Sequence, residues 1–214
     1  MIVVDIETSG LDFNKSGVWQ IGAVDLDNPD NIFLEEARID DEDEVNEKSL
    51  EVTGKTEGQL RDKNKQSQKM LIENFFKWCD SVKIKNCICQ NPQWDMGFLM
   101  TKAKKYGSNR PFHHRAFDLH SIAQLRYFLF NKKFLIKEEI SNSDFSKVYG
   151  SDMGLSKVLI FVGMRDDRGK HNALEDAKLT AECFSRIVYG RGLFKEYANF
   201  QIPDYLKEEK NDNL

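Results

Sequence analysis

Long apolar runs are missing from this sequence. No stretch reaches the ~18 apolar residues a spanning helix needs, so a transmembrane helix is excluded and no membrane partner is expected. No basic segment precedes the first apolar run, so a secretory leader is not expected either. Cysteine is scarce. Cys79, Cys87, Cys89 and Cys183 sit in apolar or strand-like surroundings without zinc-site spacing. They read as reduced thiols, and a cytoplasmic location is the expectation. A basic surplus is also absent: 31 Lys and Arg face 35 Asp and Glu, a net charge of −4. Proteins that coat long duplexes carry the opposite balance. The charge fits a protein that holds a short end of nucleic acid, with part of the negative charge belonging to a metal site.

What the chain does have begins at once. An apolar run, Ile2-Val3-Val4, leads into Asp5-Ile6-Glu7 and then Thr8-Ser9-Gly10-Leu11. The run reads as a buried central strand, whose period of two puts Asp5 and Glu7 on one face. Two buried carboxylates so close repel each other, and a cation between them relieves the repulsion. Oxygen ligands without Cys or His favour Mg²⁺ or Mn²⁺ over Zn²⁺. The alternative, acids facing water from a sheet edge, fits less well with Val3-Val4 before them and Ile6 between.

At 214 residues, 40% hydrophobic and 31% charged, the chain suits one sizeable core. A single domain over 1–200 is expected, followed by a polar, frayed tail at 201–214. Strands are expected at 2–8, 18–27 and 32–39, with turns at 9–17 and 28–31, giving an antiparallel meander. The acidic run 40–47 reads as a solvated connection. Thr53-Gly54 with Thr56 suits a phosphate-side loop or an ordinary turn. A helix with Met70, Leu71, Phe75, Phe76 and Trp78 inward follows. Further strands are expected at 86–90 and 112–119, and helices at 121–130 and 155–162. Residues 131–150 read as a long loop or inserted element.

Two helix starts carry acids. Asn91 suits an N-cap and Pro92 the first helical position, placing Asp95 in the first turn of a helix that ends at Tyr106-Gly107. Asn172 and Glu175 have capping-box spacing, which puts Asp176 in a first turn and His171 just outside the cap. Leu179, Ala181, Phe184, Ile187 and Val188 supply that helix's core face. The segment 102–110 and Lys132-Lys133 could form a basic rim, with Tyr106 or Trp94 for stacking.

These motifs together resemble the DEDD superfamily of 3′→5′ exonucleases, in the branch with a catalytic His that includes proofreading and RNase T-like enzymes. The resemblance rests on Asp5-Ile6-Glu7-Thr8-Ser9-Gly10-Leu11, on Asn91 with Trp94-Asp95 and Phe98-Leu99, and on His171-x-Ala173-x-x-Asp176-Ala177. It spans about residues 1–190 of the chain. It implies an α/β, ribonuclease-H-like fold: a mixed five-stranded sheet, its first three strands antiparallel, with helices on both faces. It implies two ions, Mg²⁺ or Mn²⁺, with Asp5 bridging both, Glu7 and Asp176 completing the first site and Asp95 holding the second through water. His171 would be the general base. Thr8, Ser9, Gly10 and Leu11 would shape the pocket of the last nucleotide, Leu11 as a wedge, with Thr53, Gly54, Asn91 and Trp94 also meeting substrate. The expected substrate is a single-stranded 3′ end of DNA or RNA, releasing nucleoside 5′-monophosphates; a homodimer is allowed. Trp94 departs from the smaller or Phe-like residue usual there, and 131–150 exceeds what a minimal member needs. A decayed, binding-only module is the alternative; the presence of all five site residues argues against it.

Overall fold

The computed structural model describes residues 1–141 and 146–207. Contacts divide the chain into two compact units: Met1–Phe117 with Arg168–Ala181, and Asp118–Asp167 with Glu182–Leu214.

β1 (Ile2–Thr8), β2 (Val18–Asp25), β3 (Asn28–Glu36), β4 (Cys87–Cys89) and β5 (Phe117–Asp118), all but Asp118 in the first unit, form a sheet in the order β3-β2-β1-β4-β5. β1 and β2 pair antiparallel, as do β2 and β3, whereas β1 and β4 run parallel. The helices of the first unit are α1 (Glu47–Thr53), α2 (Glu57–Leu60), α3 (Gln68–Cys79), α4 (Pro92–Tyr106) and the first half of α7 (Ala173–Tyr189). α5 (Leu119–Asn131) and α6 (Leu155–Phe161) belong to the second unit.

The period of two in β1 sorts its side chains. Ile2, Val4 and Ile6 enter a core with Leu71, Ile72, Phe75 and Phe76 of α3 and Phe98 and Leu99 of α4. Val3, Asp5 and Glu7 are left for the opposite face. There α7 starts directly on β2. The Ala173 backbone N–H donates to Gln20 Oε1 at 2.8 Å, and a β-carbon at Gly22 would collide with the Ala173–Leu174 backbone. Gly22 pairs with Asp5 across the ladder, so α7 begins beside the carboxylates.

Several local expectations are corrected. The hairpin turn falls at residues 26–27 rather than 28–31, and β3 takes in Pro29. Proline is tolerated there because β3 is the sheet edge, where a missing N–H breaks no ladder. The fifth strand is two residues, not eight. Met70 is half exposed on the solvent side of α3. The run 40–47 is not simply solvated. Asp43 is buried, its carboxylate accepting from Lys102 Nζ at 3.1 Å and Gln68 Nε2 at 2.7 Å. Asp40 accepts from Lys105 Nζ at 2.6 Å and from the Tyr106 hydroxyl. This loop is therefore bolted to the last turns of α4, and it delivers the chain into α1, an element the sequence reading did not anticipate.

In the second unit, the 131–150 segment carries β6 (Ile136–Ile140), which pairs antiparallel with β7 (Lys147–Ser151). Residues 142–145 lie outside the described residues. The expected frayed tail is corrected over 201–207: a 3₁₀ turn at Asp204–Leu206 buries Leu206, and the Tyr205 hydroxyl donates to the Phe161 carbonyl at 2.6 Å. That buried side chain and that hydrogen bond tie this segment down. Residues 208–214 lie outside the described residues. Among the described residues, no helix is long and apolar enough to cross a membrane.

Candidate active site

Three element ends converge in the first unit. β1 brings Asp5 and Glu7, the first turn of α4 brings Asp95, and the first turn of α7 brings Asp176. α7 starts where it does because Asn172 Oδ1 accepts from the backbone N–H groups of Leu174 and Glu175 at 3.1 and 3.2 Å. Pro92 stands at the first position of α4 as expected, but the Asn91 side chain makes no cap hydrogen bond.

Glu7, Asp95 and Asp176 are buried and Asp5 is partly buried. Burial holds the Asp5 carboxyl well above the usual range, reinforced by the charges of Asp95, Asp176 and Glu7. Glu7 is pushed up to about 7, by burial first, while His171 pulls it back down and Asp176 adds to the rise. Asp95 also rises to about 7 through burial, although backbone hydrogen bonds at Asp95 and Ile6 and the Cys89 thiol favour its charged form.

Asp176 has two partners, one on each oxygen. Its Oδ2 lies 3.2 Å from His171 Nδ1 and its Oδ1 accepts from Arg168 Nη1 at 3.1 Å. The Asp176 hydrogen bond raises the His171 pKa above its ordinary value. Ligand atoms of Glu7, His171 and Asp176 lie within 4.8 Å of one another. Glu7 Oε1 is buried and, among the described residues, has no hydrogen-bond partner. An orphaned carboxylate oxygen amid further carboxylates fits a divalent ion, and a mostly oxygen donor set fits Mg²⁺ or Mn²⁺.

A cleft of about 430 Å³ opens beside these groups. Of the expected site residues, Asp5, Glu7, Thr8, Leu11, Thr53, Asn91, Trp94, Asp95 and His171 line it. Asp176, which meets His171, does not, nor do the loop residues Ser9, Gly10 and Gly54. Ser9 is fully buried; its hydroxyl donates to the Glu44 carbonyl at 2.6 Å and accepts from the Gly17 N–H. Gly10 packs on Ser16, and Gly54 ends α1 in the left-handed region, φ 67°. These three shape the loops behind the wall. Phe13 holds the 9–17 loop by packing edge-on against Trp94 and Phe98 at 5.9 and 4.9 Å, in space left by Gly97. Leu11 is thereby left 69% exposed over the cleft.

Of the basic residues expected to form a rim at 102–110, Lys104 and Arg110 are exposed, but the others are engaged elsewhere. Lys102 is buried on Asp43, and Lys105 and Tyr106 are taken by Asp40. Sequence reasoning missed Asn46, Lys48, Ser49 and Val52, which α1 and its cap place in the wall. It also missed Gln20, Gly22 and Arg168. A glycine inside a strand pattern was the signal available for Gly22, since it marks a close backbone approach; nothing local marks Arg168.

The chain was compared with known proteins. It is 26% identical over 190 residues to a PolC-type DNA polymerase III of Thermotoga maritima, an alignment covering 87% of this chain and 12% of that protein. The chain thus spans about an eighth of that relative's length. Among solved structures, the nuclease domain of 3′hExo, described as a DEDDh family member bound to rAMP, superposes with a TM-score of 0.63 at 15% identity, covering 95% of both chains. E. coli Exonuclease I, in complex with a dT13 oligonucleotide, gives 0.63 at 16% identity over 86% of this chain and 40% of that one. These likenesses bear out the ribonuclease-H-like fold. The exonuclease family model, that of RNase T, matches residues 2–184. With most of its length inside that match and the acidic motifs of β1, α4 and α7 at one sheet end, the chain belongs to the RNase T exonuclease family, in the DEDD superfamily.

Proposed function

We propose that this exonuclease is a metal-dependent 3′→5′ enzyme, removing nucleoside 5′-monophosphates one at a time from single-stranded 3′ ends of DNA or RNA. The observation that carries the reading is the convergence of Asp5, Glu7, Asp95, Asp176 and His171 beside a nucleotide-sized cleft, with Glu7 Oε1 buried and unpaired. Asp5, Glu7 and Asp176 would hold one divalent ion, and Asp5 with Asp95 a second. Bound there, such ions supply Lewis acidity that activates water and neutralises phosphodiester oxygens.

The protein's own groups do the rest. Asp176 Oδ2 faces His171 Nδ1, which supports a proton on that nitrogen and leaves Nε2 to take one from the attacking water. Thr8, Leu11, Asn91 and Trp94 would bracket the terminal nucleoside, Leu11 wedging beside its base. An open cleft mouth suits an unpaired strand. The relatives described with rAMP and with dT13 support both RNA and DNA as candidates.

The test is product analysis on matched DNA and RNA oligomers with Mg²⁺ or Mn²⁺. On 5′-labelled strands the label should remain in a ladder of shortening oligomers while monophosphates accumulate, and a 3′-terminal phosphate should slow degradation strongly. Equal rates on a covalently closed circle would overturn the 3′-end reading.

A further inference from the structure

Two cations border α1, a wall of the cleft, only one of them in its lining, and neither belongs to the expected rim. Lys48 sits in the first turn of α1 and lines the cleft. Lys170 comes from the opposite direction, one residue before His171, and its side chain fills the space a β-carbon at Gly54 would occupy. Its stem therefore crosses the far end of α1. The two lysines stand at the two ends of one short helix, whose seven residues span about 10 Å. Between them the same wall presents Ser49, Val52 and Thr53. Both lysines are exposed, unlike Lys102, which is buried on Asp43.

A strand whose last phosphodiester lies at the carboxylates must bring its preceding phosphates past a wall of the cleft. Flexible ammonium groups along α1 bind those phosphates without reading sequence. We propose that Lys48 and Lys170 form a two-point phosphate clamp along α1, holding the backbone of the incoming single strand upstream of its terminal nucleotide. The clamp rests on the nuclease reading of the same cleft and adds the residues that grip the strand.

Counterion release separates this role from a structural one. For single strands, log affinity falls with log salt by a slope of about −0.7 per phosphate neutralised. The probe is a 5′-labelled oligodeoxythymidylate with Mn²⁺, followed as kcat and KM between about 50 and 200 mM salt. Lys48→Gln and Lys170→Gln should each raise KM several-fold, leave kcat within about twofold, and flatten the salt dependence of kcat/KM by about 0.7. Lys170→Arg should restore the slope, and Lys83→Gln, at an exposed lysine before β4, should keep the wild-type slope. Mn²⁺ affinity by calorimetry should be unchanged in all of them. An unaltered slope in both clamp variants, or a fall in kcat with KM unmoved, overturns the clamp. If the wild type leaves both this oligomer and its RNA counterpart intact, the nuclease reading falls instead, and fluorescence anisotropy of the same oligomers still measures the slope on which the clamp stands or falls.

Discussion

At the scale of single residues, the site is a set of acids kept from ionising freely by burial and by one another. Glu7 and Asp95, raised to about 7, hold protons when folded that the unfolded chain releases near 4. Their contribution to stability is therefore present below about pH 4 and is lost as pH rises through 7. Divalent ions, which bind the ionised form, should reverse this. In chelator, the drop in Tm between pH 5.5 and 8 should be shallower in Glu7→Gln than in wild type. Added Mn²⁺ should raise the wild-type Tm more at pH 8 than at 5.5. Thermal melts at the two pH values check both signs. His171 and Asp176 touch, yet their proposed roles differ. His171→Ala should lose about 10²–10⁴-fold in kcat while keeping Mn²⁺ affinity. Asp176→Ala should lose both. Calorimetry beside rates at saturating metal distinguishes them; a His171→Ala protein that binds no Mn²⁺ would make the imidazole a ligand.

At the scale of elements, the decisive join is between β2 and α7. Gln20 and Gly22 let the helix start on the strand, opposite Asp5. Gly22→Ala should push the first turn of α7 outward, because the obstructing atoms are backbone and cannot rotate away. The expected outcome is a fold that still melts cooperatively but shows weakened Mn²⁺ binding and at least a tenfold lower rate, about 1.4 kcal/mol in activation free energy. Melting curves with metal titration measure it. The antiparallel meander and the starts of α4 and α7 were legible because each signal is local: alternation, a proline, an Asn cap. α1 was not, because a seven-residue helix rich in charge shows little periodicity, and its place is set by the Asp43–Lys102 pair, whose partners lie 59 residues apart.

At the scale of the whole molecule, the chain combines two units of different character. The first holds the five-stranded sheet and the site. In the second, the β6–β7 ribbon has only two strands, and every residue of β6 is exposed. Two-stranded ribbons are marginal alone. Hydrogen exchange should therefore release the amides of β6 and β7 orders of magnitude faster than those of β1 and β2. Equal protection measured by mass spectrometry would mean the ribbon is covered in solution.

The sequence by itself determined which residues could do chemistry. Carboxylates two apart on an apolar strand, and an acid in the first turn of each of two helices, are local arrangements, and local geometry follows from chain periodicity. It also determined the strand order of the meander, since short turns leave neighbours little choice. Only the tertiary structure decided which charges remain for the cleft. Lysines at 102 and 105 looked available but meet Asp43 and Asp40 across the fold, whereas Lys48 lines the cleft and Lys170 lies over Gly54 at the end of its wall helix. Pairing of charges distant in sequence is set by packing, and no residue announces in advance which partner will reach it.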